Sequence, residues 1–438
     1  MNTNKCMYTI QFVIAALVAI FVFGSSAWAA TYYVDASNGN DNSDGLSPSS
    51  AWMTISKINN ASFASGDSIL FKRGETWKEQ LTVPSSGSSG NPITFGDYGS
   101  GEKPIIDGEK TRDHCINNLV GRDFITFKNL HLMRANKDNL IGWEAVNIIV
   151  EDVDLEYADR HNAFFGGGSH NLVIRRCSFH HAAVEHGIYV DASNYPLIEY
   201  SAFHNNKRSG IHFNSGGGVS DVKNPIVRYN TFHSNTWCGI DDYAGSGGKY
   251  YYNLFYDNSG YCIGLDSDWE GRDLPSKNNE IYNNTIYQHT TWGDPIVSIM
   301  NNSTGHIIKN NIISRGNNND ILIRIDAGCS ATVDNNVYYG TSMSRAFEYH
   351  EVLYDSLSSW QAASNQDAHS IAADPEFNNV NGHDFTLKET SPCIGAGSDV
   401  GLATDMVGTS VPIGFAVDIG AFEHDHARPK PPTGLQVF

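Results

Sequence analysis

Residues 125–132 read Ile125-Thr-Phe-Lys-Asn-Leu-His-Leu132, and the pattern returns as Ile148-Ile-Val-Glu-Asp-Val-Asp-Leu155, Leu172-Val-Ile-Arg-Arg-Cys-Ser-Phe179, Pro196-Leu-Ile-Glu-Tyr-Ser-Ala-Phe203 and Pro225-Ile-Val-Arg-Tyr-Asn-Thr-Phe232. Four more copies follow: Gly248-Lys-Tyr-Tyr-Tyr-Asn-Leu-Phe255, Asn279-Glu-Ile-Tyr-Asn-Asn-Thr-Ile286, His306-Ile-Ile-Lys-Asn-Asn-Ile-Ile313 and Ala331-Thr-Val-Asp-Asn-Asn-Val-Tyr338. Their last residues form an apolar column. Two residues earlier a second column runs Leu130, Val153, Cys177, Ser201 and then five Asn, Asn230, Asn253, Asn284, Asn311 and Asn336. Each copy alternates with period two, the signature of a strand with one buried face. Copies start 23 to 31 residues apart. That is too short for a strand–helix–strand unit on every turn, and shorter than the roughly 40 residues of a propeller blade. It fits one coil of a parallel β-helix, whose turns stack ~4.8 Å apart and place equivalent side chains above one another. The apolar column becomes an internal ladder and the Asn column a second one, each amide bonding its neighbours and turn backbone. The reading is an all-β, right-handed parallel β-helix.

A second strand follows each copy by about ten residues. Its inward positions read Phe164, Ile188, Ile211, Ile240, Ile263, Ile296 and Ile321, and Gly often precedes it. Composition agrees. The 438 residues include 42 Asn and 41 Gly, both turn formers. Only 18 % of residues are charged while 40 % are hydrophobic, enough for a substantial core. The formal net charge of −19 excludes a general nucleic-acid or anionic-membrane binder, both of which need a basic face.

Residues 1–29 read as an export signal. Lys5 is the basic start, Phe12 to Phe23 the short apolar run, and Ala27-Trp28-Ala29 the small-x-small cleavage site. The expected address is secreted, periplasmic or cell-surface, with no membrane span, and the expected state is a monomer. Removing Lys5 leaves 28 basic against 48 acidic residues, a charge of −20. Six Cys remain, scattered, with no CxxC, so a structural zinc site is not expected. Cys238 and Cys262 lie one coil apart, where they would stack or form a disulfide. The chain divides into an N-terminal cap with first coils (30–110), the coils proper (111–350), a C-terminal cap (351–425) and a Pro-rich tail (426–438).

With these repeats the chain resembles the pectate-lyase-like β-helix superfamily. Thr31-Tyr-Tyr-Val-Asp-Ala-Ser-Asn-Gly-Asn-Asp, the capping-helix stretch Trp52-Met-Thr-Ile-Ser-Lys-Ile and Gly66-Asp-Ser-Ile-Leu-Phe-Lys-Arg-Gly resemble its N-terminal region. Ser88-Ser-Gly-Asn-Pro-Ile-Thr-Phe is similar to a segment of family-six polysaccharide lyases, which cleave alginate or dermatan-type chains. Ser391-Pro-Cys-Ile-Gly-Ala-Gly and Asp418-Ile-Gly-Ala-Phe-Glu423 resemble the C-terminal cover of secreted proteins of this fold. Ile321-Leu-Ile-Arg-Ile-Asp-Ala-Gly328 is similar to the strand carrying that family's catalytic Arg, which implies Arg324. The coil before it has Met300-Asn-Asn-Ser where the family's basic Lys is expected.

A fold does not specify chemistry, so the outward residues of the second strand carry the functional reading. They are Glu185, His186, Tyr189 and Asp191, then Lys207, Arg208, His212 and Asn214, then Asp241, Asp242 and Tyr243, then Asp266, Asp268, Trp269, Glu270 and Arg272. A uronate lyase or epimerase needs a base, charge to stabilise an enolate and an acid for the leaving oxygen. His186, Tyr189, His212 and Asp241 are the candidate catalytic residues. Glu185, Lys207, Arg208, Trp269, Arg272 and Arg324 are candidates for binding an acidic polysaccharide. Asp241, Asp242, Asp266 and Asp268 could hold Ca²⁺, which takes oxygen ligands, or a structural ion. Asp241, Asp242 and Asp266 would alternatively serve a glycoside hydrolase, and a non-catalytic glycan binder is the third reading. Clustering of His186, Tyr189, His212 and Asp241 in one cleft would favour an enzyme. The repeating His180, His204 and His233, continued by Tyr256 and Tyr287, read as a structural surface stack.

Overall fold

The computed structural model describes residues 29–216, 220–267, 274–288, 294–316 and 320–425. The export-signal segment before Ala29, the tail from residue 426, and Asp268, Trp269, Glu270 and Arg272 lie outside them. Three twelve-stranded sheets run the length of the solenoid. One coil shows the plan. Ile148–Glu151 belongs to the first sheet, Asp154–Glu156 to the second and Ala163–Gly166 to the third. Each strand pairs in parallel with its equivalent one coil on. No helix among the described residues is long and apolar enough to cross a membrane.

The corner between the first two sheets is made by one residue in the left-handed region. Asn129, Asp152, Arg176, Tyr200, Tyr229, Tyr252, Asn283, Asn310 and Asn335 all have φ between 47° and 57°. The next residue then points inward, which is why the second sequence column is buried. Its Asn members form a continuous ladder: each Nδ2 reaches the next Oδ1 at 3.0 to 3.1 Å from Asn230 through Asn253, Asn284 and Asn311 to Asn336. Each Oδ1 also accepts a backbone N–H from the preceding coil. The apolar column stacks as expected. Phe179, Phe203, Phe232 and Phe255 lie face to face with ring centroids 4.7 to 5.0 Å apart. A second ladder, Asn206, Asn235 and Asn258, lines the next corner with amide contacts of 3.0 and 2.9 Å.

The third sheet corrects the inward assignments. Its buried row is Ala163, Ile188, Ile211, Ile240, Ile263, Val297 and Ile323. Phe164 therefore faces outward, and Ile296 and Ile321 lie out of register with this row. Parity also puts Asp242 inside, opposite Leu265 and fully buried. Gly210, just before one of these strands, allows close approach of the coils, since a Cβ there would sit 2.9 Å from the Gly239 carbonyl oxygen.

At the N-terminal end, helix Ile55–Asn59 turns Ile55 and Ile58 into the core. At the other end, helix Leu357–Ser364 seats Trp360 against Phe347, ring centroids 5.6 Å apart. Residues 391–421 run along the flank instead of over the end. Asn310 donates to the Ser398 carbonyl at 2.7 Å and Tyr229 to that of Thr404 at 3.1 Å, and this segment buries Ile419 with Tyr252 and Ile312.

Candidate functional site

One outward row of the third sheet runs Ile141, Phe164, Tyr189, His212, Asp241, Gly264, Ser298, Arg324 and Glu348, each residue the register partner of the next. Over its first half lies a cleft of about 630 Å³. Arg160, His161, Phe164, Glu185, His186, Tyr189, Arg208, His212, Trp237, Asp241 and Tyr243 line it. Three of these, His212, Asp241 and Tyr189, sit on consecutive strands because period-two alternation aims them at the same side of the sheet.

His212 is buried, and its Nδ1 lies 3.0 Å from Asp241 Oδ2. A carboxylate only accepts, so Nδ1 carries the proton and Nε2 keeps its lone pair, 3.5 Å from the Asn214 amide nitrogen. The Tyr189 ring lies 4.9 Å from His212 and 5.0 Å from His161. Tyr243 packs edge-on to His212 at 4.9 Å, and the charge of Asp241, then burial, pushes its phenol well above the ordinary range.

His161 and His186 form a stack with His212, centroids 5.5 and 4.5 Å apart. The backbone N–H of His186 points at His161 Nδ1 (3.4 Å), and that of Ser209 donates to His186 Nδ1 at 3.2 Å. A backbone amide cannot accept, so both rings hold their proton on Nε2. Burial, reinforced for His161 by Arg160 and for His186 by His212, holds both well below the ordinary histidine range, so they are neutral. They are therefore N–H donors, not bases.

Two guanidiniums flank the row. Arg160 is anchored on buried Asp138 (Nε–Oδ1 2.9 Å) and lies over the Phe164 ring at 5.5 Å. Arg208 pairs with Glu185 at 3.1 Å and is more than half exposed. An aromatic platform extends the cleft, with Trp143 stacked on Phe164 at 6.1 Å and Phe164 on Tyr189 at 5.1 Å, while Trp237 is 45 % exposed.

The structure thus brings Glu185, His186, Tyr189, Arg208, His212 and Asp241 together and leaves the other described candidates elsewhere. Lys207 is exposed and does not line the cleft. Arg324 lies three register steps beyond Asp241, ~14 Å along the sheet, bonded to Asp326 at 3.0 Å and near Glu348 at 3.8 Å. Asp242 is the main correction. It is an interior residue whose Oδ1 accepts from the N–H groups of Ala244 and Gly245, and whose Oδ2 accepts from Tyr250 (2.7 Å), Ser276 (3.1 Å) and Asn279 (2.9 Å). Five donors compensate its burial, which nonetheless raises its pKa.

Of the four carboxylates expected to hold calcium, Asp268 lies outside the described residues. Ca²⁺ needs six to eight oxygens. Asp242 has none to spare, Asp241 is held by His212, and Asp266 accepts from Asn301 at 2.6 Å and from the Ser267 amide at 2.7 Å. The three described carboxylates are thus each engaged in hydrogen bonds within the protein. Cys238 and Cys262 are separate buried thiols, as are the other four described cysteines. The Gly239 amide bonds the Tyr261 carbonyl, so Cys238 stacks over Tyr261 and not over Cys262.

His161, Arg160, Phe164, Trp143 and Trp237 were not among the sequence candidates. His161 precedes His186 by 25 residues, one coil, and that spacing was the available signal.

The right-handed β-helix region family matches residues 162–338. No curated protein matches the chain. Among solved structures, pectate lyase Pel9A aligns with a TM-score of 0.61 at 15 % identity, over 90 % of this chain and 96 % of its own. XylC in complex with xylose gives 0.55 at 9 % identity, over 90 % and 98 %. A mannuronic acid-specific family 6 polysaccharide lyase from human gut microbiota gives 0.51 at 14 % identity, over 73 % and 80 %. The chain folds as a pectate-lyase-like right-handed parallel β-helix.

Proposed function

We propose that the protein is a secreted carbohydrate-active enzyme that cleaves an acidic, uronate-containing polysaccharide by β-elimination in the His212 cleft. The observation that carries the reading is the His212–Asp241 pair beside Tyr189. Elimination begins with loss of the proton next to the uronate carboxylate. His212 Nε2 takes that proton, while Asp241 holds Nδ1–H and stabilises the imidazolium. The C–H electron pair forms the new double bond as the glycosidic C–O bond breaks, and the Tyr189 hydroxyl supplies a proton to the leaving oxygen. The Nε2–H groups of His161 and His186, with Arg160 and Arg208, supply donors for the carboxylate as it gains enolate charge. Trp143, Phe164 and Trp237 offer ring faces to neighbouring sugars. The same proton removal followed by return to the opposite face would be epimerisation.

The fold neighbours support carbohydrate chemistry in general terms, since they include lyases and a xylose complex. The overall acidity does not carry into the cleft, where Arg160 and Arg208 offset Glu185 and Asp241 and leave guanidiniums to meet a substrate carboxylate. A hydrolase is the second reading. It is favoured by Asp266, whose pKa burial raises to about 7 with Asp241 adding to the rise, a carboxyl poised to give or take a proton near neutrality.

The test is a panel of uronate polymers and neutral glycans, followed by ultraviolet absorbance of the conjugated unsaturated product and by reducing ends. Both signals on a uronate polymer, retained in EDTA and lost in His212→Ala, are expected. Reducing ends without absorbance would move the assignment to hydrolysis, and neither signal on any member would overturn both readings.

A further inference from the structure

On the second sheet, Glu156 and His180 are register partners on adjacent coils, and His181 follows in the left-handed region with φ 56°. That corner conformation swings the His181 ring back toward His180, so their Nδ1 atoms lie 2.8 Å apart. His180 Nδ1 is also 3.5 Å from Glu156 Oε2. One ligand atom from each of the three residues lies within 4.8 Å of the other two. We propose that Glu156, His180 and His181 bind one divalent transition-metal ion, with Zn²⁺ the best match, clamping two adjacent coils.

Two imidazole nitrogens and one carboxylate oxygen are a borderline donor set that suits Zn²⁺ and not Ca²⁺ or Mg²⁺. Tetrahedral Zn²⁺ with ligands at ~2.0–2.1 Å wants nitrogens ~3.3 Å apart, so the two rings need to part by only a few tenths of an ångström. The surroundings would hold the ligands in place. His131 Nε2 sits 2.8 Å from the other Glu156 oxygen, and His181 Nε2 lies 3.3 Å from the Asn205 amide, whose carbonyl can turn to accept its proton. His204, stacked on His180 at 4.7 Å, has an Nδ1 with no hydrogen-bond partner among the described residues, a further nitrogen next to the site. The stack thus has a use beyond surface packing at its first member. None of the residues lines the cleft.

The test uses the full chain, stripped with chelator and dialysed against ZnCl₂, with metal content and affinity measured by competition with a chromophoric chelator. One Zn²⁺ per chain is expected, retained in His212→Ala. It should be lost in His181→Ala and weakened roughly 10- to 100-fold in Glu156→Gln. Circular dichroism checks that each variant folds. Absence of bound Zn²⁺ would overturn the site. So would binding that disappears in His212→Ala but survives His181→Ala, which would assign the ion to the cleft histidines. Displacement of Zn²⁺ by excess CaCl₂ would contradict the donor-set argument.

Discussion

Replacing Asn253 by Ala removes one rung of the buried amide ladder, and the cost can be worked from its four bonds. Asn253 Oδ1 accepts from the Asn230 backbone N–H at 3.0 Å and from Asn230 Nδ2 at 3.1 Å. Its Nδ2 donates to the Val227 carbonyl at 2.9 Å and to Asn284 Oδ1 at 3.0 Å. The Asn230 Nδ2 keeps a bond to the Ile198 carbonyl, and Asn284 Oδ1 keeps the Asn253 amide. The Asn230 backbone N–H loses its ladder acceptor. One orphaned buried donor costs ~1–3 kcal/mol and each of the three other lost bonds ~0.5–1.5, so the variant should lose ~2.5–7.5 kcal/mol. Asn253→Asp keeps the shape but sets an oxygen against two acceptors, so its cost should grow as pH rises and the carboxyl ionises. Stacked coils can open locally. The assay is therefore hydrogen exchange resolved by segment, alongside urea unfolding. Protection should fall first in residues 225–285 and the midpoint should drop. A change within ~0.5 kcal/mol of wild type, or exchange raised uniformly along the chain, would refute the ladder as a source of stability.

In the cleft, Asp241→Asn should leave substrate binding nearly intact and lower kcat roughly 10²- to 10⁴-fold, the usual range for general-base catalysis; an unchanged kcat in steady-state kinetics would remove His212 from that role. Stability should depend on pH in a definite direction. Burial, aided by neighbouring histidines, lowers His180 and His233 to about 3 and His204 to about 4, and burial lowers His306 to about 4. Between about pH 4 and their ordinary value of 6.5 the unfolded chain binds more protons, so stability rises with pH. Asp266 and Glu423, raised to about 7 by burial, act the opposite way from about pH 4 to 7. The histidines are more numerous, so thermal unfolding should show a net gain up to about pH 6.5. His306→Gln should reduce the slope by ~1.4 kcal/mol per pH unit, and an unchanged slope would contradict this. Thiol reagents should label none of the six described cysteines until the chain unfolds, and a reductant should leave the unfolding midpoint unchanged.

The coil was legible because stacking forces the same demand on the same position in every turn. Phe179, Phe203, Phe232 and Phe255 recur for that reason, and so do the five Asn of the first corner. The second ladder, Asn206, Asn235 and Asn258, also recurs at a fixed place, three residues after Phe203, Phe232 and Phe255, but over three coils only, a shorter run than the five Asn of the first corner. At the site, parity decides everything, and two places disguised it. In Ala163-Phe-Phe-Gly166 both aromatics are plausible core residues, and only pairing with Ile188 turns Phe164 outward. In Ile240-Asp-Asp242 strict alternation sends Asp242 inward. An interior carboxylate is acceptable only because Tyr250, Ser276 and Asn279 converge on it, from 8, 34 and 37 residues away. Those partners cannot be read from the strand itself. The tautomers of His161 and His186 were likewise beyond the sequence, because backbone amides of the following coil set them.

The most direct test is mass spectrometry of the products released from a uronate polymer by wild-type protein and by His212→Ala. Wild type should yield oligosaccharides whose new non-reducing end is unsaturated, lighter by one water than a hydrolysis product, and His212→Ala should yield none. Saturated products, or unsaturated products formed equally well without His212, would contradict elimination at this cleft.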